Sequence, residues 1–342
     1  MAELPVIVGH DVLLAQLREA VDGDRLHHAL LFEGPSGVGR HTTARWLALV
    51  ANCEDDPGQR PCGRCRACTM ILAGQHPDVI EVGPDPDLAT PTIPASAVRE
   101  LVRLAGFHRF SARRRFVILD PADALQPAGA NALLKTLEEP PAGTHFVLVV
   151  GQARSLLPTI VSRCQRTRFA PVEEASLRAW LEARGVPEAE ALARAAQGSP
   201  GTALALADGA LEARDDLATG LLAALAGDLQ GIFTWSEGLT KGSRRDWAPR
   251  AHAALDLLEE LLRDVVVQAA GADQPLLHPA LQPRTEAWVG ALWPSGVSRC
   301  SDALTEARRE LALNVSGKNV LDAVITRFAT ELGAARKGGR AA

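Results

Sequence analysis

The sequence contains no tyrosine, and its 342 residues hold only eight phenylalanines and six tryptophans. Stacking of bases on aromatic platforms is therefore not expected to be its main device. Long apolar runs are missing too: no stretch approaches the ~20 residues that a membrane-spanning helix needs. The opening segment, MAELPVIVGHDVLLAQLREA, has acidic and polar residues where a signal peptide needs a basic flank and an apolar core. A cytoplasmic chain with no membrane partner is expected. Nor is positive charge in excess. With 36 Lys and Arg against 41 Asp and Glu, the net charge is −5, which argues against coating nucleic acid by bulk charge and leaves room for a local basic patch. Cysteine is sparse, but four of the six cysteines fall between Cys53 and Cys68. In a reducing compartment such clustering reads as metal or redox chemistry before disulfides. What is present is an ordinary globular composition, 47% apolar and 23% charged. At ~150 residues per domain the length suggests two to three domains.

Local pattern divides the chain in two. Leu13, Leu14 and Leu17 share a helical face, with Asp11 as the expected N-cap. The run His28-Ala29-Leu30-Leu31-Phe32 reads as a buried strand leading into Gly34-Pro35-Ser36-Gly37-Val38-Gly39, after which helical spacing resumes from Thr42 to Val50. Val79 to Val82 and His145 to Val150 read as strands, and so does Phe116 to Leu119, closing on Asp120. Ala95 to Gly106 and Ala128 to Glu139 read as helices, the second stopped by Pro140-Pro141. The proline-rich stretch from Gly83 to Pro94 reads as a loop. Alternating strands and helices predict a parallel sheet covered on both faces. Beyond Pro171 only helical spacing remains, with a break at Gly198-Ser199-Pro200-Gly201 and further loops near Lys241-Gly242-Ser243, Ala272 to Pro275 and Pro294-Ser295-Gly296. The basic tail from Ala334 to Ala342 is expected to fray.

The segment Gly34 to His41 has the glycines of G-x-x-x-x-G-K-[ST] but not its last two residues. Gly34, Gly37 and Gly39 would let backbone amides cradle phosphate at a helix N-terminus. Arg40 stands where lysine reaches the β- and γ-phosphates, and its planar fork is a poor substitute for a point charge. His41 replaces the hydroxyl that holds magnesium, an ion that prefers oxygen. Thr42 is one position out of register. Asp120 closes its strand where a magnesium-orienting carboxylate belongs, but Pro121 follows where an active ATPase of this type carries an acid. Weak or absent nucleotide binding is expected, and no hydrolysis.

Cys53-x8-Cys62-x2-Cys65-x2-Cys68 supplies four soft ligands in an insertion between the first helix after the glycine loop and the next strand. The spacing suits one tetrahedral, structural zinc ion with no open coordination position, hence no catalysis. Reduced, half-buried thiols and a redox C-x-x-C are the competing readings. Cys164 and Cys300 read as core residues.

Several segments, taken in order, resemble one family. They are the glycine loop, the cysteine insertion, Phe116-Val117-Ile118-Leu119-Asp120-Pro121-Ala122-Asp123, Asn131-Ala132-Leu133-Leu134-Lys135-Thr136-Leu137-Glu138-Glu139-Pro140-Pro141, and Ser162-Arg163-Cys164. Together they look like the bacterial clamp-loader branch of the AAA+ proteins, over about residues 4–206. Beyond that only helical character and Leu313-Asn314-Val315-Ser316 carry the likeness. The resemblance implies an α/β plus all-α fold: a P-loop domain (1–170, with a zinc insertion at about 51–70), a helical lid (171–209) and a helical collar (210–335), followed by a disordered tail (336–342). It implies that Arg163, with Ser162, is an arginine finger offered to a neighbour's γ-phosphate. The polar residue that senses the γ-phosphate in active relatives falls at Val150, and the lid arginine near Gly201.

Within the branch the altered loop resembles a subunit that serves its neighbours, not a motor. The implied partners are motor subunits of gamma/tau type and a delta-type subunit in a heteropentamer, the sliding clamp indirectly, and primer-template DNA through the ring. The basic cluster Arg109, Arg113, Arg114 and Arg115 reads as a solvated loop, with contact to DNA phosphate as the other possibility. Two other functions stay open from the sequence: an autonomous ATP-hydrolysing motor with an atypical loop, and a zinc-dependent nucleic-acid-binding module.

Overall fold

A computed structural model describes residues 4–84, 92–313 and 315–338, apart from the side chains of 209–215, 312 and 334–338. The described chain forms two compact units, Met1–Ala207 and Asp208–Ala342.

The first unit is built on strands β1 (Ala29–Glu33), β2 (Val79–Val82), β3 (Arg115–Leu119), β4 (Thr144–Val150) and β5 (Gln165–Arg168). They lie in the order β2-β3-β4-β1-β5, every pair parallel. The three central strands β1, β3 and β4 are buried throughout, as their largely apolar runs require. Side chains alternate between the two faces: Leu31, Val117 and Leu148 pack with the helices on one side, and Leu30, Ile118 and Val149 with those on the other. The helices are α1 (Asp11–Asp22), α2 (Arg40–Asn52), α3 (Arg66–Leu72), α4 (Ala95–Ala105), α5 (Pro127–Glu138) and α6 (Pro158–Val161), then α7 (Glu174–Ala183), α8 (Ala189–Ala195) and α9 (Pro200–Ala205) in the expected lid segment.

Three local expectations need correcting. The N-cap of α1 is His10, and Asp11 is the first helical residue, where its charge still complements the helix dipole. Edge strand β5 has no counterpart in the sequence reading, because Gln165-Arg166-Thr167-Arg168 lacks an apolar run. Arginines suit an exposed edge, and here Arg168 Nε donates to Glu33 Oε1 at 2.6 Å while Arg166 donates to both Glu33 oxygens at 3.0 Å. Arg115 is not on a solvated loop. It opens β3, 4% exposed, with a guanidinium nitrogen 2.7 Å from the fully buried Asp78 carboxylate. Asp78 also accepts from the amides of Phe110, Ser111 and Ala112, and Arg115 donates to the carbonyls of Leu104, Ala105, Phe107 and His108. This pair organises the whole α4–β3 loop.

The second unit is all-helical: α10 (Leu211–Ala226), α11 (Leu229–Leu239), α12 (Arg244–Ala270), α13 (Gln282–Leu292), α14 (Ser295–Ala312) and α15 (Gly317–Gly338). Its core gathers Leu258, Leu261, Val265, Leu321, Ile325 and Phe328 among others. A capping box between Ser243 and Asp246 starts α12, and Gly271 in left-handed geometry ends it. The α/β plus all-α fold class expected from the sequence is therefore the observed one. The break expected around Pro294 is confined to Trp293-Pro294, since α14 begins at Ser295. Asn314 of the Leu313 to Ser316 motif lies outside the described residues, as do 85–91 of the proline-rich loop and 339–342 of the tail.

Candidate nucleotide pocket, metal centre and arginine finger

The glycine loop joins β1 to α2, as the strand–turn–helix pattern predicts. Gly37 has φ +70°, and a Cβ there would lie 2.3 Å from Ser199 Oγ. That crowding comes from the start of α9: the Gly201 amide donates to the Gly37 carbonyl at 2.9 Å, and Ser199 Oγ donates to the Ser36 carbonyl at 3.0 Å. Gly201, near the position of the lid arginine in active relatives, is thus a close backbone contact: a Cβ on it would come within 3.0 Å of Gly37 Cα. A cavity of about 410 Å³ remains, bounded by Leu4 to Val8, the loop from Ser36 to Thr42, Asp120, Trp180 and Arg184.

The two altered positions are engaged inside the protein. Arg40 donates to the carbonyl of Val150 at the end of β4. His41, on the first turn of α2, has Nδ1 2.8 Å from Asp120 Oδ2 and Nε2 3.3 Å from Glu81 Oε2. Arg45, one turn further along, reaches the other Glu81 oxygen at 3.0 Å. The Asp120 carboxylate, joined by Glu81, pushes the His41 imidazole up to about 9 against the effect of burial. Magnesium, which the loop type implies, does not fit this set: an imidazolium, not a hydroxyl oxygen, faces the carboxylate.

The four sulfurs of Cys53, Cys62, Cys65 and Cys68 lie within 4.8 Å of one another. Cys53 ends α2, Cys65 caps α3, and Cys68 lies within it, so two helix ends bring the ligands together. Backbone amides of Cys62, Cys65 and Cys68 donate to the sulfurs of Cys53, Cys62 and Cys65 at 3.3–3.4 Å. Amides of Arg64 and Cys65 draw the Cys62 thiol down to about 7, while burial raises those of Cys53 and Cys68. A zinc tetrathiolate, with Zn–S of ~2.3 Å, needs sulfurs roughly 3.8 Å apart, so this donor set fits a zinc ion. All six cysteines are free thiols; Cys300 is buried in the second unit's core and Cys164 lies against that of the first.

Arg163 lies between α6 and β5, its side chain a third exposed. It donates to the Thr159 carbonyl at 2.7 Å and pairs with Glu138 at the end of α5; Ser162 Oγ donates to the same carbonyl at 3.1 Å. Of the remaining basic cluster, Arg114 bonds Asp24 at 2.7 Å and Arg109 donates to the Ala142 carbonyl at 3.2 Å. The loop presents Phe107 and Phe110, 56% and 81% exposed. Sequence spacing pointed to neither Glu81 nor Arg45 as a partner of His41. Glu138 stands in the Leu-Glu-Glu-Pro-Pro run, but nothing in the spacing makes it a partner of Arg163.

Comparison with known proteins bears on these features. A model of the family described as DNA polymerase III, delta subunit, matches residues 9–173. The DNA polymerase III subunit delta' of Escherichia coli K12 is 35% identical over 255 residues, covering 73% of both chains. That of Pseudomonas aeruginosa PAO1 is 40% identical over 168 residues, 48% of this chain and 50% of the other. The tau subunit of Salmonella typhimurium is 34% identical over 232 residues, 65% of this chain but only 35% of tau. Among solved structures, a Thermotoga maritima DNA polymerase III gamma-subunit-related protein aligns with TM-score 0.43 and 15% identity, covering 93% of this chain and 99% of the other. No helix among the described residues is long and apolar enough to cross a membrane.

Proposed function

The chain belongs to the delta' family of DNA polymerase III clamp-loader subunits, and from that premise we propose that it is a non-hydrolysing member which serves a neighbour's ATP site. The observation that carries this reading is the state of its own pocket. Arg40 and His41 are bound to internal oxygens, and Pro121 stands where an acid would position the attacking water. Arg163 lies outside that pocket, between α6 and β5, its side chain a third exposed. Opposite an adjacent subunit's γ-phosphate, its guanidinium would stabilise charge that develops in the transition state. The exposed pair with Glu138 holds the side chain in place until then and is weak enough to exchange, being worth roughly 0–1 kcal/mol.

In this reading the partners are motor subunits of gamma/tau type and a delta-type subunit in a five-membered ring, which opens the sliding clamp and loads it at primed DNA. Residues 1–170, 171–209 and 210–335 serve as the ATPase-like, lid and collar domains. The four-cysteine insertion holds one structural zinc, whose contribution is to fix the α2–α3 connection.

The test is ATP turnover by the reconstituted complex. Arg163→Ala should leave assembly intact and slow turnover at the one dependent site by roughly 10³-fold, while the isolated chain turns over no ATP. An unchanged rate in the complex removes the finger. Steady hydrolysis by the isolated chain, lost in Arg40→Ala, would instead establish the autonomous motor, the reading that the similarity to tau and the remaining cavity favour.

A further inference from the structure

The pocket's loss of function is narrower than its sequence suggests. The loop still turns as a phosphate cradle does, with Gly37 at φ +70° and Gly39 at φ +107°. The first turn of α2 has no side-chain cap on its amides, and its residues line the cavity of about 410 Å³. The floor of that cavity is different. Each ring nitrogen of His41 faces a separate carboxylate, Asp120 at 2.8 Å and Glu81 at 3.3 Å. His41 Nδ1 makes no aligned hydrogen bond to Asp120, so the contact there is one of charge, and two carboxylates this close favour the cationic ring. The upward displacement of its pKa agrees with this. Arg45 completes the group through Glu81 at 3.0 Å. Two cations and two anions thus balance where Asp120 and a hydroxyl would otherwise face a divalent ion.

Resting on the reading that the chain's own site is silent, we infer that the His41 side chain takes the place of the divalent cation. The site rejects metal–nucleotide because an internal cation already occupies its carboxylates, not because its cavity has closed. A hard metal ion arriving at Asp120 meets N–H donors and positive charge in place of oxygen. A nucleotide arriving without metal finds Arg40 turned into the Val150 carbonyl and no surplus charge from the balanced group. The competing physical cause is obstruction by α9, whose Gly201 lies against Gly37. The two causes make opposite predictions for a chain in which only the two side chains are exchanged.

The experiment is calorimetric titration of the full chain with Mg·ADP, and with ADP in excess EDTA, for wild type and for R40K/H41T. Wild type should show no binding below ~1 mM, and R40K/H41T should bind Mg·ADP at least ~10-fold tighter, with the gain abolished by EDTA. A folded R40K/H41T that still binds no Mg·ADP overturns the inference and puts the obstruction at α9. Equal affinity of the two proteins overturns it as well. Wild-type ATP turnover, measured separately, is what would overturn the silent-site reading itself. His41→Gln gives a second arm that preserves side-chain size while removing the charge. Titrated with Mn²⁺ alone and read by electron paramagnetic resonance, the zinc-loaded variant should bind manganese at least ~10-fold tighter than wild type. No gain would overturn the inference independently of nucleotide.

Discussion

Asp78→Asn should destabilise the first unit severely, because it leaves a buried guanidinium without its counter-ion. Asp78 is fully buried and Arg115 nearly so, and the two lie 2.7 Å apart. Burial alone would raise the Asp78 carboxyl, yet the amides of Ser111 and Ala112, the Arg115 guanidinium and the Phe110 amide hold it down at about 2. Set against ~3.9 for a free aspartate, that preference for the charged form corresponds to roughly 2–3 kcal/mol. Removing one partner of a buried pair costs ~3–5 kcal/mol, because the other charge stays desolvated. The two magnitudes agree on a loss near 3 kcal/mol. Hydrogen exchange of the β3 and β4 amides reads this for the first unit alone, and exchange should quicken by roughly 100-fold or more. The neutral pair D78N/R115M should cost at least ~1 kcal/mol less than the sum of the single changes. Additive costs, or a single change worth less than ~1 kcal/mol, would refute the reasoning. The pH dependence has a fixed sign. Because the folded carboxyl titrates below the unfolded one, its contribution is complete above about pH 4 and is lost as pH falls toward about 2.

Elemental analysis of the reduced protein should return about one zinc per chain, and chelation should remove exchange protection across residues 53–72 while the central strands stay protected. Gly37→Ala should cost roughly 1–3 kcal/mol, seen as a lower melting temperature, since the added Cβ would stand 2.3 Å from Ser199 Oγ at a left-handed φ. The His41 group titrates with the opposite sign to Asp78. Its pKa is raised to about 9 by Asp120 and Glu81, so its stabilisation is complete below about pH 6.5 and fades as pH rises through 9. Denaturation of wild type and His41→Gln across that window should converge at the alkaline end.

How much was legible depends on the range of the interaction. The Gly-rich turn, the proline stops and the apolar runs of β1, β3 and β4 act within a few residues, so spacing alone placed those strands and marked Asp120 and the four cysteines. β5 escaped because an edge strand of Gln, Thr and two arginines has no periodic apolar signal, and it exists through pairing with β1. Composition argued only against aromatic stacking as the main device, and it could not say that Phe107 and Phe110 would be exposed.

What the amino-acid order determined by itself was the set of losses: lysine, hydroxyl and acid replaced by Arg40, His41 and Pro121. What only tertiary structure decided was where those replacements went. Glu81 reaches His41 from β2, Val150 takes Arg40 from the end of β4, and Asp78, just before β2, meets Arg115 at the start of neighbouring β3. Charges pair through space once strands 30 to 110 residues apart lie side by side, and no local propensity encodes that meeting.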